Sequence, residues 1–354
     1  YLSQHDHHFS KTLIDWYSIV KRELPWRETH DPYKIWLSEI ILQQTRIDQG
    51  LPYYNRFVAH YPTVHDLSKA PGQTVMKLWE GLGYYSRARN LHETARYISS
   101  ELGGEFPRNY ESLVKLKGIG PYTAAAIASI AFGEASPVID GNVFRFISRY
   151  FGIEKDIADQ KNRKYFKEIL DEVIDHKQPG AFNQAVMEYG ATVCKPSASL
   201  CEQCVFNLEC YAFKHKMQSA LPIKTKKVKS KEEFINYFIF EHEGLTLMRK
   251  RTDSIWTGLF EFHNLSGSES PSETELQQVV SKYGKLHLQQ EQPTVKHLLT
   301  HKKLWVSFMH VAVEDHKVFD LIAKDLSLKA FSWEEVLTLP RPKVIVNHLQ
   351  RAVF

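Results

Sequence analysis

No run of about 18 consecutive apolar residues occurs in this 354-residue chain, so the sequence offers no membrane-crossing helix. No basic stretch leading into an apolar one opens it either, so no secretion signal is expected. A large charge excess is also missing: the formal net charge of +4 permits a nucleic-acid partner without demanding one. No internal repeat is present, which excludes a solenoid. Cysteine is absent outside one short segment, so no disulfide framework spreads through the fold.

The four cysteines present are Cys194, Cys201, Cys204 and Cys210, spaced C-x6-C-x2-C-x5-C. Two disulfides would need an oxidising compartment. Zinc ribbons usually show two close pairs on either side of a long loop, and here only one C-x2-C pair exists. Four thiolates in so compact a segment suit a [4Fe–4S] cubane best, with zinc next and disulfides last. The simplest role of such a cluster is to tie down a loop, with Lys195 and Lys214 nearby to meet phosphates.

The richest stretch runs Lys115-Leu116-Lys117-Gly118-Ile119-Gly120-Pro121-Tyr122-Thr123, followed by an Ala-rich segment and then Val138-Ile139-Asp140-Gly141-Asn142. Two glycines flanking one apolar residue predict a tight hairpin, since glycine tolerates positive φ. Pro121 and Thr123 then start a helix over Thr123–Ala131, whose N-terminal N–H groups and dipole suit a phosphate. Asp140 follows one helix length later. Backbone grip plus a nearby carboxylate is what an enzyme acting on a DNA sugar needs.

Elsewhere in residues 8–220, apolar residues at three- and four-residue spacing predict amphipathic helices over Phe9–Arg22, Pro32–Arg46, Val75–Trp79, Ala88–Ser99 and Lys164–Asp175. Ile223–Lys231, with five lysines and no acid, reads as a solvated linker. Beyond it the period changes. Phe234–Phe240, Leu245–Lys250 and Leu304–Val313 read as strands, and Glu273–Tyr283 and Phe319–Ala323 as helices. The organisation is an all-helical domain followed by a smaller mixed α/β domain.

Hairpin, aspartate and cysteine loop together resemble the helix-hairpin-helix DNA glycosylases of the endonuclease III superfamily, over roughly the first 215 residues. Within that superfamily, Trp36-Leu37-Ser38-Glu39-Ile40-Ile41-Leu42-Gln43-Gln44-Thr45-Arg46 is similar to a helix of the MutY branch. So are Leu24-Pro25-Trp26-Arg27, Gly81-Leu82-Gly83-Tyr84-Tyr85 and Phe182-Asn183-Gln184. The resemblance implies a catalytic domain over residues 1–220 with its cluster loop at 194–210, a linker at 221–231, and a Nudix-like lesion-recognition domain at 232–354. Trp256-Thr257-Gly258-Leu259-Phe260-Glu261-Phe262 matches a recurring stretch of that second domain. The R-E-x-x-E-E metal box of active Nudix enzymes is absent, with only scattered acids such as Glu273 and Glu275 in its place.

The resemblance also implies roles. Glu39 is the acid toward adenine N7, and its apolar neighbours are expected to keep it protonated. Asp140 stays ionised and faces the anomeric carbon, as electrostatic partner or transient nucleophile, with Asn142 bonding it and Tyr122 orienting it. In glycosylase/lyases the residue before the hairpin threonine is a lysine nucleophile; here it is Tyr122, so water is the expected nucleophile. Arg22, Trp26, Leu42 and Gln184 are expected around a flipped-out adenine, Gln44 and Tyr84 as wedges, and Gly118 and Gly120 on phosphates. Thr300 and His301 occupy the place of a Phe-Ser-His loop that reads 8-oxoguanine, with Leu299 where the aromatic would be.

A monomeric, nucleoid-associated cytoplasmic enzyme acting on duplex DNA with A:8-oxoguanine or A:G mispairs is the expectation. A cation in the hairpin is a feature the family often shows. An endonuclease III-like pyrimidine-lesion glycosylase and a non-catalytic, redox-sensing DNA-binding protein are the alternatives.

Overall fold

The computed structural model describes residues 3–225, 231–252, 255–290, 292–299 and 302–351. The chain divides into two compact units, residues 1–69 with 90–226, and residues 70–89 with 227–354. Twelve helices precede the first strand among the described residues: α1 (Ser3–Val20), α2 (Pro32–Leu42), α3 (Ile47–His60), α4 (Val64–Lys69), α5 (Gly72–Leu78), α6 (Ser86–Glu101), α7 (Tyr110–Leu113), α8 (Pro121–Phe132), α9 (Gly141–Phe151), α10 (Arg163–Val173), α11 (Pro179–Thr192) and α12 (Tyr211–Lys214). A short 3-10 turn, Pro25–Arg27, lies between α1 and α2.

In the first unit, α8 and α11 are central. Every residue of α8 from Thr123 to Ile130 is buried, and alanine at four of those positions lets α2, α7 and α11 approach closely. The other face of α11 meets α1 and α9. Asn183 on α11 is fully buried; its side-chain oxygen accepts from Val138 N (3.0 Å), and its amide donates to Ser129 Oγ and Ser136 O (2.8 Å each). The bonds to Val138 and Ser136 fix the segment that delivers Asp140, and the bond to Ser129 ties it to α8.

Two helix ends differ from the sequence reading in ways that bear on function. Helix α2, expected to reach Arg46, ends at Leu42, because Gln43 leaves helical backbone and Gln44 turns left-handed at φ 55°. Its start is conventional, with Pro32 in the first turn and the Asp31 side chain accepting from Tyr33 N at 2.9 Å. Helix α8 begins at Pro121 and ends at Gly133, a left-handed cap at φ 72°.

The expected single boundary at 221–231 also differs from the observed division, since Ala70–Arg89 belongs with the second unit. The bonds responsible are Tyr85 Oη to Arg341 O (2.9 Å), Arg89 Nη1 to Thr257 O (2.6 Å) and Arg341 N to Glu80 Oε2 (3.0 Å). At the start of the lysine-rich stretch, Ile223 O accepts from Ile157 N, and Thr225 N donates to Asp156.

The second unit contains a mixed sheet of β1 (Lys231–His242), β2 (Leu245–Lys250), β3 (Phe260–Glu261), β4 (His263–Gly267), β5 (Val295–Leu298), β6 (Lys302–Ala312) and β7 (Lys329–Ser332). The order is β3-β2-β1-β6-β5, with β4 also on β1 and β7 on β2. Only β1–β6 is parallel among these pairs, in register from Lys231↔Lys302 to Glu241↔Ala312. Four helices complete it: α13 (Glu273–Ser281), α14 (His316–Asp325), α15 (Trp333–Thr338) and α16 (Lys343–Arg351). Phe238, Phe240, Val311, Phe319 and Ile322 form its core on the face covered by α14.

Candidate active site

Three side chains from three elements of the first unit meet in its interior. Glu39 comes from the middle of α2, Tyr122 from the first turn of α8, and Asp140 from the residue that caps α9. Asp140 Oδ1 accepts from Val143 N (2.7 Å), and Oδ2 accepts from Asn142 Nδ2 (3.1 Å). The Tyr122 hydroxyl, expected to orient Asp140, instead hydrogen-bonds the Glu39 carboxyl and lies 3.1 Å from the Met187 sulfur.

The two carboxyls are differently placed. Glu39 is 9% exposed, and burial pushes its pKa up to about 7, helped by the charge of Asp140 and opposed by Tyr122 and Arg27. Burial raises Asp140 as well, but Val143 N–H, Asn142 N–H and side chain, and Arg145 all favour its ionised form. With one proton to share between coupled acids, the donors solvate Asp140, so the proton belongs on Glu39. Burial and both carboxylates hold the Tyr122 hydroxyl far above its ordinary range, so it stays a donor.

The residues expected around an extruded base have these surroundings. Arg22 makes a two-bond pair with Glu188, Nε to Oε1 at 2.6 Å and Nη2 to Oε2 at 2.5 Å. Gln184 accepts from Tyr17 Oη at 2.9 Å. Trp26 is buried, edge-on to Tyr54 with ring centres 5.0 Å apart, and Leu42 is half-buried at the end of α2. Gln44 is exposed with φ 55°, and in the other unit Tyr84 is exposed with φ 48°. Left-handed backbone at a non-glycine residue is uncommon and concentrates at functional sites.

The hairpin corrects one expectation. Gly118 has φ +76°, and a Cβ there would lie 2.7 Å from Asn90 Cβ. Gly120 does not need positive φ: its backbone is extended (φ −84°, ψ 175°) and an added Cβ would meet nothing within 4 Å. Gly120 instead caps α8 without any side chain over the helix start. Gly118→Ala is therefore expected to cost about 1–3 kcal/mol of stability and to weaken DNA binding independently of sequence. Gly120→Ala is expected to leave the melting temperature unchanged while still weakening binding; melting curves and filter binding on matched and mispaired duplexes check both.

The four cysteines line one pocket together with Phe146, Arg149 and Phe206. Among the described residues no group of three or more His, Cys, Asp or Glu side chains is arranged to hold a single metal ion. Arg149 reaches the Cys194 sulfur at 3.5 Å and the carbonyl of Lys195 at 2.7 Å, and Tyr189 Oη lies 2.9 Å from the Cys204 sulfur. Donors to sulfur are what thiolate ligands accept. Arg145 joins this loop to the acid: Nε donates to Cys194 O (2.7 Å) and Nη2 to Asn142 Oδ1 (2.9 Å).

Residues 37–172 match the HhH-GPD superfamily base excision DNA repair protein, and residues 236–351 match the NUDIX domain. The chain is 34% identical to the adenine DNA glycosylase of Buchnera aphidicola subsp. Schizaphis graminum, over 72% of this chain and 74% of that one. It is 32% identical to the adenine DNA glycosylase of the Baizongia pistaciae subspecies, over 88% of both. The chain belongs to the adenine DNA glycosylase (MutY) family. Among solved structures, a thermostable thymine-DNA glycosylase superposes with TM-score 0.56 and 30% identity, covering 60% of this chain and 98% of that one. Family membership thus joins a helical helix-hairpin-helix unit to a Nudix-like mixed sheet.

Several partners of the site carry no motif in the sequence. Glu188 and Arg145 look like ordinary helix charges, and their partners lie at distant positions or on backbone atoms. Asn183 sits inside Phe182-Asn183-Gln184, which is the one signal that could have marked it. In the Nudix-like unit, Glu261 is buried and paired with Arg249 (3.2 Å) and Arg251 (2.5 Å). Glu275 forms a capping box with Ser272 at the start of α13, so these acids serve structure. Leu299 N donates to Lys302 O, while Thr300 and His301 lie outside the described residues.

Proposed function

We propose that this chain excises adenine from duplex DNA by hydrolysis of the N-glycosidic bond, without forming a covalent amine adduct, and that adenine opposite 8-oxoguanine or guanine is its substrate. What carries the reading is a buried, protonated Glu39 beside an ionised, hydrogen-bonded Asp140, with a tyrosine between them where an amine nucleophile would stand. Departure of adenine requires a proton on the base and negative charge beneath the sugar as oxocarbenium character develops. Glu39 supplies the first, toward N7, and Asp140 the second. Tyr122 holds the Glu39 carboxyl, and its hydroxyl cannot replace a lysine in a Schiff base.

Arg22, Trp26, Leu42 and Gln184 receive the flipped base in this reading, and Gln44 and Tyr84 fill the stack it leaves. Gly118 and Gly120 bring backbone N–H groups to phosphate. Cys194, Cys201, Cys204 and Cys210 would hold a [4Fe–4S] cluster, which when bound ties the loop to α9 and α11. Thr300 and His301 would read the opposite base. Preference for A:8-oxoguanine over A:G in single-turnover rates supports that role, and equal rates remove it.

The pH profile tests the acid. With Glu39 titrating near 7, kcat/KM should fall about tenfold per pH unit above that value, and a profile level to pH 9 would contradict proton donation by Glu39.

A further inference from the structure

Glu188 has no part in the reaction just described, yet it holds two arginines. It lies on α11 with its side chain 2% exposed, and both oxygens are taken by Arg22. Oε2 also accepts from Arg27 Nη2 at 2.7 Å. Arg27 comes from the short turn before α2, is itself 8% exposed, donates through Nη1 to Arg22 O (3.1 Å) and lies over the Tyr17 ring at 5.4 Å. Despite burial, the two arginines keep the Glu188 carboxyl below its usual range, so it is an anion.

Arg27 is also the cation felt at Glu39. The groups facing Glu39 are Tyr122 from α8, Asp140 at the head of α9 and Arg27 from the turn packed on α2; α3, also packed on α2, sends Tyr54 against Trp26. Facing Glu188 are Arg22, Arg27 and Tyr17. A buried guanidinium without a counter-charge would draw the proton off Glu39, because the low-dielectric interior screens it poorly. A bare arginine at this position would therefore disable the acid.

We propose that Glu188 is a positioning residue, whose carboxylate holds and neutralises Arg27 so that Glu39 keeps its proton at neutral pH. The proposal rests on the reading of Glu39 as the acid. A purely structural Glu188 would tie α11 to the turn and leave the titration of Glu39 untouched.

The test is the carboxyl titration of Glu39 in the DNA-free full chain, followed by 13C NMR with labelled glutamate and assigned by the signal lost in Glu39→Gln. In Glu188→Gln the midpoint should drop by about one pH unit from that of the unmodified chain. In Glu188→Gln combined with Arg27→Met it should return to the original value or rise above it. An unmoved midpoint in Glu188→Gln overturns the proposal, as does a lowered midpoint that persists in the double variant. If Glu188→Gln alone does not fold, Arg27→Met is compared with the double variant. Equal midpoints support a route through Arg27, and a difference of about one unit overturns it.

Kinetics give a parallel readout. Single-turnover adenine release by Glu188→Gln should be about tenfold slower than the unmodified chain at pH 8 and little changed at pH 5.5. Should the unmodified chain release no adenine, the functional reading fails, while the NMR titration still decides the electrostatic claim.

Discussion

Asp140→Asn is expected to slow adenine release on the order of a thousandfold or more while leaving the fold and DNA binding nearly intact. Asparagine caps helices about as well as aspartate, so the bond to Val143 N that starts α9 can persist. What disappears is the negative charge that the proposed mechanism places beneath the sugar. Glu39→Gln should be similarly inactive, since an amide cannot donate the proton that adenine needs.

The second substitution carries an independent signature in stability. Glu39 titrates near 7 in the folded chain against an ordinary 4.5, so the folded state binds the extra proton between those values. Stability must therefore fall as pH rises from 4.5 toward 7, by about 3 kcal/mol in total, and stay at the lower level above. Glutamine removes that penalty. Glu39→Gln should thus melt higher than the unmodified chain at pH 8 and close to it at pH 4.5, a direct measure of what the acid costs the fold. Equal melting temperatures at both pH values would remove the buried, proton-holding description of Glu39.

Gly190→Ala is expected to have the next largest effect, from a residue that touches no substrate. A Cβ at Gly190 would lie 2.7 Å from Asn142 O, 2.8 Å from Asn142 Cβ and 2.9 Å from Asn142 C. Two of those atoms are backbone in the first turn of α9, which cannot rotate aside. Helix α9 would have to move away from α11, and Asp140 and Asn142 would move with it. Overpacking of this kind costs about 1–3 kcal/mol, or roughly 2–4 °C of melting temperature per kcal/mol in a unit of this size. Adenine release should fall by about a hundredfold, because misplacement of reacting groups by an ångström costs that much. A folded Gly190→Ala with full activity would show that the α9–α11 approach does not position Asp140.

The parts of this arrangement that sequence revealed are those written as local spacing. The cysteine loop, the Gly-Ile-Gly hairpin and the change from helical to strand period are each contiguous, and each is found in the expected place. What could not be read depends on partners far along the chain. Arg22 and Glu188 are 166 positions apart, and no local pattern signals a buried pair at that distance. Ala70–Arg89 reads as part of the helical run, yet its hydrogen bonds to Thr257 and Arg341 place it with the second unit. Gly120 departs from expectation for a different reason: glycine composition alone does not distinguish a left-handed turn from a helix start that must stay uncovered.

Free adenine released in a single turnover from a duplex bearing adenine opposite 8-oxoguanine, with both strands followed before and after alkali, tests the pairing of Glu39 and Asp140 most directly. One adenine per active protein molecule is expected, with strands intact until alkali is added, and with no release from Asp140→Asn. Strand breaks without alkali, or adenine released by Asp140→Asn at the unmodified rate, would contradict hydrolysis at this site.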